Sequence, residues 1–278
     1  LMHLYELGKF NLDDPVYQYI PDFKDSKLFT ETGLRPVKTP IRIIDILRHT
    51  AGYSHGNSGL PGLDEYYASA NLNSSANNAE LIKKLSKIPL QFEPGTNWQY
   101  GHSTNVCGYL IEILSGMPLD EYLSKFIIKP LKMNDTFFQI PEEKVSQFTV
   151  GYRWDNTDGL FIAETATDNR YVRPVTLFRV GGWLVSTTFD YLRFCGMILN
   201  KGALNGHEIL KEKTIDLMLA DHLEEVRQHQ TDRLNLPAGE ASFGLGFAIK
   251  GNSSDSLQKV YGWGGAVGTF FKVDFEKV

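Results

Sequence analysis

Apolar positions along this chain fall at helical spacing in several stretches. Val106, Tyr109, Leu110, Ile113 and Leu114 follow the i, i+3, i+4 rhythm, which predicts a helix from about Thr104 to Ser115 stopped by Gly116. The same rhythm predicts helices over 79–88, 119–129, 188–200 and 211–219, and a short one over 41–47. Leu1 to Leu7 reads as the last turns of a helix ending at Gly8. The last third changes character. Phe243–Ile249, Lys259–Trp263 and Thr269–Phe275 alternate like strands. Turn residues separate them (Gly251-Asn252-Ser253-Ser254, then Gly264 to Gly268), which predicts an antiparallel meander. Residues 22–40 read as a surface loop, 53–78 as a loop or lid, and 134–180 as irregular with short β-like pieces. The pattern divides the chain into a mainly helical part, 1–180, and a helix-and-sheet part, 181–278.

Composition narrows the partners. With 42% hydrophobic and 22% charged residues, the chain has the make-up of a globular protein. A net charge of -5 gives no electrostatic reason to expect nucleic acid or an anionic membrane surface. No apolar run approaches the length of a membrane span. Cys107 and Cys195 both sit inside apolar helical patterns and read as small core residues. CxxC and HExxH spacings are absent, so no metal and no cofactor is expected.

The stretch with most chemical promise is Asn97-Trp98-Gln99-Tyr100-Gly101-His102-Ser103. It follows Phe92-Glu93-Pro94-Gly95-Thr96 and presents a phenol at the entrance of the predicted helix. Around it lie Leu12-Asp13-Asp14-Pro15-Val16 with Tyr19-Ile20-Pro21, Ile46-Leu47-Arg48-His49-Thr50-Ala51-Gly52, and Pro130-Leu131-Lys132-Met133 with Asp135-Thr136. Gly181-Gly182, Ser186-Thr187 with Asp190, and Trp263-Gly264-Gly265-Ala266-Val267-Gly268-Thr269 complete the series. In this order and at these spacings, the chain resembles the serine β-lactamase and penicillin-binding-protein superfamily. The likeness is nearest to class C β-lactamases and the esterases that share their fold.

The resemblance implies an α+β fold of β-lactamase/transpeptidase type, with an antiparallel sheet flanked by helices and a mainly helical domain. It also implies a serine hydrolase working through an acyl-enzyme on a small ester or amide. Tyr100 takes the place of the general base, and the Ala266 N–H that of an oxyanion donor. His102, Trp263, Gly264, Gly265 and Trp183 fall on the substrate-binding walls. Two departures bear on substrate. His102 stands where many relatives have asparagine, and Trp263-Gly264-Gly265 stands where Lys-Thr-Gly or His-x-Gly is usual. A tryptophan offers a substrate carboxylate no positive charge, so the departures favour neutral esters over penicillins and peptidoglycan. A β-lactamase or D-alanyl-D-alanine carboxypeptidase, and a non-catalytic binding module, are the other readings.

An alcohol is a poor nucleophile at neutral pH and needs a neighbour to take its proton. The resemblance implies a Ser-x-x-Lys motif at the start of the helix that ends at Leu1–Leu7. None of Ser26, Ser54, Ser58, Ser86, Ser124 and Ser146 has a lysine three residues on, and the chain is read as lacking this motif. The expectation is a chain cut from a longer one, with the nucleophile upstream of Leu1. Thr187 or Ser186 is expected to cap the helix from 188. His49, Thr50 and Gly52 are expected to close a helix, and His55 to be solvated. The loop aromatics Tyr53, Tyr66, Tyr67, Tyr152 and Trp154 either line a pocket or pack.

Overall fold

The computed structural model describes residues 1–165, 167–228, 234, 236–237, 239–251 and 259–276. Helix α1 (Met2–Glu6) ends where Gly8 turns into the left-handed region at φ 66°, as its place after the apolar run predicts. The hairpin β1 (Lys27–Thr30) and β2 (Gly33–Pro36) follows, then α2 (Ile43–Leu47), α3 (Pro61–Ala70) and α4 (Asn78–Leu85). Helix α5 (Ser103–Ser115) stops at Gly116, and α6 (Leu119–Leu123) runs into one π-helical turn over Ser124–Ile128. A second hairpin, β3 (Gly151–Asp155) with β4 (Gly159–Glu164), precedes α7 (Thr188–Leu199). The chain then makes the short pair β5 (Ala203–Leu204) and β6 (His207–Glu208), and helices α8 (Glu212–Leu219) and α9 (Glu224–Gln228). The main sheet is an antiparallel meander in the order β10 (Phe270–Asp274), β9 (Val260–Gly264), β8 (Ala248–Lys250), β7 (Ser242–Phe243).

Two stretches read as loops are structured. Residues 22–40 contain the β1–β2 hairpin, and 53–78 contain the ten-residue α3. Each buries too few side chains to leave a rhythm: α3 buries only Leu63 and Tyr67, and the hairpin only Leu28. Phe243–Ile249 is not one strand but two, β7 and β8, joined through Gly246 at φ 97°. Most of the expected turn over Gly251–Ser254 lies outside the described residues.

Helix α5 is the axis of the larger core. Its Val106, Leu110 and Ile111 pack with Leu81, Ile82 and Leu85 of α4 and Ile43 and Ile46 of α2. A second core forms under the sheet from Cys195, Met197 and Ile198 of α7, Ile215 and Leu219 of α8, and Phe247 and Val273. Both cysteines are buried free thiols, and burial pushes Cys107 up to about 12. Thr187 does cap α7, its hydroxyl accepting from Asp190 N at 3.2 Å. The Asp190 carboxylate in turn accepts from Asp135 N at 2.6 Å and Thr136 Oγ1 at 2.9 Å, so it holds the 135–136 segment to the helix. Among the described residues, no helix is long and apolar enough to cross a membrane.

Candidate active site

A smaller core, separate from the two larger ones, carries the candidate site. Trp98 and Phe243 are buried there, with Tyr100 and Trp263 half-buried against them. Backbone hydrogen bonds set the position of Tyr100. Gln99 N donates to His49 O at 3.0 Å, Gly95 N to Thr50 O at 2.8 Å, and Gln91 N to Gly52 O at 2.9 Å. The segment carrying the tyrosine is thereby stitched to the turn that follows α2. That turn puts His49 in the left-handed region at φ 60°.

Gly101 completes the contact. A β-carbon there would strike the Tyr53 carbonyl and come within 2.7 Å of Ser54 Cα, so only hydrogen fits between the two segments. The next residue, Ser54, receives the Tyr67 hydroxyl, to which its N–H donates at 2.9 Å.

Tyr100 is surrounded by rings. His49 lies 4.9 Å away, His55 5.0 Å and Trp263 4.9 Å, centroid to centroid. The tryptophan that departs from the usual strand motif therefore packs directly on the candidate base. His102 precedes α5 as a buried residue, its Nδ1 3.0 Å from the Asn105 amide nitrogen and its ring 4.6 Å from His55. Burial holds both His49 and His102 down to about 3, so both are neutral imidazoles across the physiological range. His55 is lowered as well, first by burial and then by the Arg179 charge. Buried polar atoms without a hydrogen-bond partner gather here: His49 Nδ1, Trp98 Nε1, Ser103 Oγ and Asn105 Oδ1. Each such group costs stability, and native proteins keep few of them away from functional sites.

Two residues given structural or solvent roles by sequence reasoning thus stand at the site. His49 ends α2 but also faces Tyr100. His55 is exposed on one side, as expected, yet its ring touches both Tyr100 and His102. His49 lies within one of the family-like motifs, whereas His55 had no local signal, because tertiary contact alone brings it there. Of the loop aromatics, Tyr53 and Tyr67 are buried, while Tyr152 and Trp154 lie exposed on the β3–β4 hairpin.

The glycine-rich turn after β9 separates into parts. A β-carbon on Gly265 would collide with Thr269 Oγ1, and Gly265 N donates to Thr269 O at 2.6 Å. A larger residue there would require the Thr269 hydroxyl to move. At Gly264 the nearest atom to such a carbon is Thr269 O at 3.9 Å, which leaves the backbone approachable. Ala266 sits exposed in the turn, and its N–H has no acceptor among the described residues. Trp183 lies apart from Tyr100, held between the guanidinium groups of Arg170 (5.2 Å) and Arg179 (5.4 Å).

The reading of no Ser-x-x-Lys needs one correction. Ser256-Leu257-Gln258-Lys259 has that spacing. Ser256 lies outside the described residues. Lys259 runs directly into the extended strand β9, whereas the motif relies on a helical turn to set the ammonium beside the hydroxyl. Among the described residues, no group of three or more His, Cys, Asp or Glu side chains is arranged to hold a metal ion.

Comparison with known proteins agrees with this architecture. An uncharacterized protein of Mycobacterium tuberculosis is 27% identical over 286 residues, covering 98% of this chain and 70% of that protein. A Salmonella agona protein, provisionally named as a D-alanyl-D-alanine carboxypeptidase, is 28% identical over 290 residues, covering 96% of this chain and 61% of the relative. Among solved structures, simvastatin synthase (LovD) from Aspergillus terreus superposes with a TM-score of 0.76 at 25% identity, over 99% of this chain and 72% of the other. The Beta-lactamase family model matches residues 1–277, and with the helical core, the antiparallel sheet and the tyrosine between them, the chain belongs to that family of hydrolases and acyltransferases.

Proposed function

We propose that this chain forms the tyrosine side of the active site of a serine hydrolase that cleaves carboxylic esters through an acyl-enzyme. The observation that carries the reading is the setting of Tyr100. It is half-exposed at the entrance of α5, fixed by backbone hydrogen bonds, and ringed by neutral imidazoles and Trp263 rather than by carboxylates. With the ammonium of the lysine that the mechanism requires beside it, such a tyrosine takes the proton of an attacking serine hydroxyl and returns it to the departing alcohol. The free Ala266 N–H is suited to receive the charge that develops on the carbonyl oxygen. Placing Trp263 beside the base, instead of a lysine, favours an ester over a lactam.

The reading requires a serine nucleophile and a lysine beside it, so the test uses the full-length protein. Turnover of p-nitrophenyl esters is expected to exceed that of nitrocefin, and Tyr100→Phe is expected to lower kcat/KM for the esters by about 10²- to 10⁴-fold. Faster turnover of nitrocefin would favour the β-lactamase reading. Turnover of neither would favour a binding module, and full activity in the phenylalanine variant would remove Tyr100 as the base.

A further inference from the structure

Among the described residues, Arg179 is a buried cation without an anion. Its side chain is 9% exposed. One terminal nitrogen donates to Asn73 Oδ1, and its Nε is buried with no hydrogen-bond partner. The guanidinium lies 5.4 Å from the Trp183 ring centroid, within cation–π range. Among the described residues, no carboxylate is within ion-pair distance of it. The nearby charge is of the wrong sign: Arg170, over the same indole and paired to Glu164 at 3.5 Å, repels it. Arg48 and Arg227 in this chain, by contrast, have aspartates at 3.0 Å.

The location of this cation matters as much as its isolation. Its segment runs past the first turn of α5, where a β-carbon on Gly181 would lie 3.3 Å from Thr104 Oγ1. The charge of Arg179 is felt at His55 and His102, the histidines beside Tyr100 and at the start of α5. Asn73, which orients it, belongs to the turn after α3, on the same 53–78 segment as His55. Burying a lone cation is costly, and the cost is offset when a ligand brings the missing charge. A planar guanidinium whose Nε has no partner among the described residues matches the two oxygens of a carboxylate.

We propose that Arg179 is the anion-recognising residue of this site, and that the substrate carries a carboxylate away from the bond that is cleaved. The positive charge missing from the Trp263 strand is thus supplied from another segment, 177–183, beside the first turns of α5. This replaces the expectation of neutral esters with esters bearing one free acid group. The substrate part of the inference rests on the hydrolase reading, whereas carboxylate binding does not.

Two measurements on the full-length protein keep these apart. The first compares kcat/KM for mono-p-nitrophenyl glutarate with that for p-nitrophenyl valerate, a matched anionic and neutral pair. Wild type is expected to favour the anionic ester by about tenfold or more, the range of a charge-assisted hydrogen bond. Arg179→Met should bring the ratio to about one, mainly through KM, and Arg179→Lys should fall between. An equal loss on both esters, with the ratio kept, would make Arg179 merely structural and overturn the proposal. The second titrates glutarate calorimetrically. Binding that Arg179→Met weakens at least tenfold supports recognition even where neither ester turns over, an outcome that would defeat only the hydrolase reading. Equal binding by both proteins, or none by wild type, overturns it.

Discussion

Arg48 and Arg179 are both buried arginines, and their surroundings are opposites. Arg48 donates from Nη2 to Asp45 at 3.0 Å, from Nε to Thr50 Oγ1 at 3.0 Å and from Nη1 to the His222 carbonyl at 2.9 Å. Thr50 closes the ring by donating to the same Asp45 oxygen at 2.9 Å. Every polar group in that network is answered, and the network joins α2 to the segment before α9. Arg179 has an amide oxygen, an indole face and a repelling neighbour. The difference teaches how to separate a cation that holds a fold together from one kept for a ligand. The first is satisfied within the protein, and the second is only partly satisfied.

Removing each charge in turn separates the two arginines. Arg48→Met leaves the buried Asp45 carboxylate with Arg42 and Thr50 alone and removes the bond to the His222 carbonyl, and is expected to cost about 3 kcal/mol. Arg179→Met removes an unanswered charge and is expected to change stability by no more than about 1 kcal/mol, in either direction. Urea denaturation of the two variants beside wild type measures both. A similar large loss in each would erase the distinction.

Acid tests the same region from another side. His49 and His102 are held near 3 when folded, well below the ordinary histidine value of about 6.5. The unfolded chain therefore binds protons first. Their contribution is full above about pH 6.5 and is lost as pH falls toward 3, on the order of a few kcal/mol over that window. Melting temperature should drop through it, with a shallower slope in His102→Gln; an unchanged slope would mean His102 is not what titrates. A smaller effect links the two themes. Burial is the main cause of the low values at His55 and His102, and the Arg179 charge adds to it. Arg179→Met should shift the NMR titration of both imidazoles upward, and no shift would place the cation too far away to serve the site.

What the sequence made legible follows from burial. Helices α4, α5, α7 and α8 each press an apolar stripe on a core, so their periodicity is written in the chain. Helix α3 and the β1–β2 hairpin bury so little that no rhythm survives. Tyr100 and Trp263 were reachable because each lies in a contiguous motif. Arg179 and His55 acquire their importance from contacts with distant residues, Asn73 and Trp183 for one, Tyr100 and His102 for the other. No local pattern marks such positions.

The missing side chain at Gly101 has a practical meaning for anyone redesigning this protein. Because the Tyr53–Ser54 backbone rests against it, the loop bearing His55 and the turn bearing Tyr100 behave as one part. A loop graft from a relative should carry 49–56 and 95–103 together, and a saturation library should leave position 101 untouched. Shuffling one segment without the other would scramble the spacing between imidazole and phenol before any new specificity could be selected.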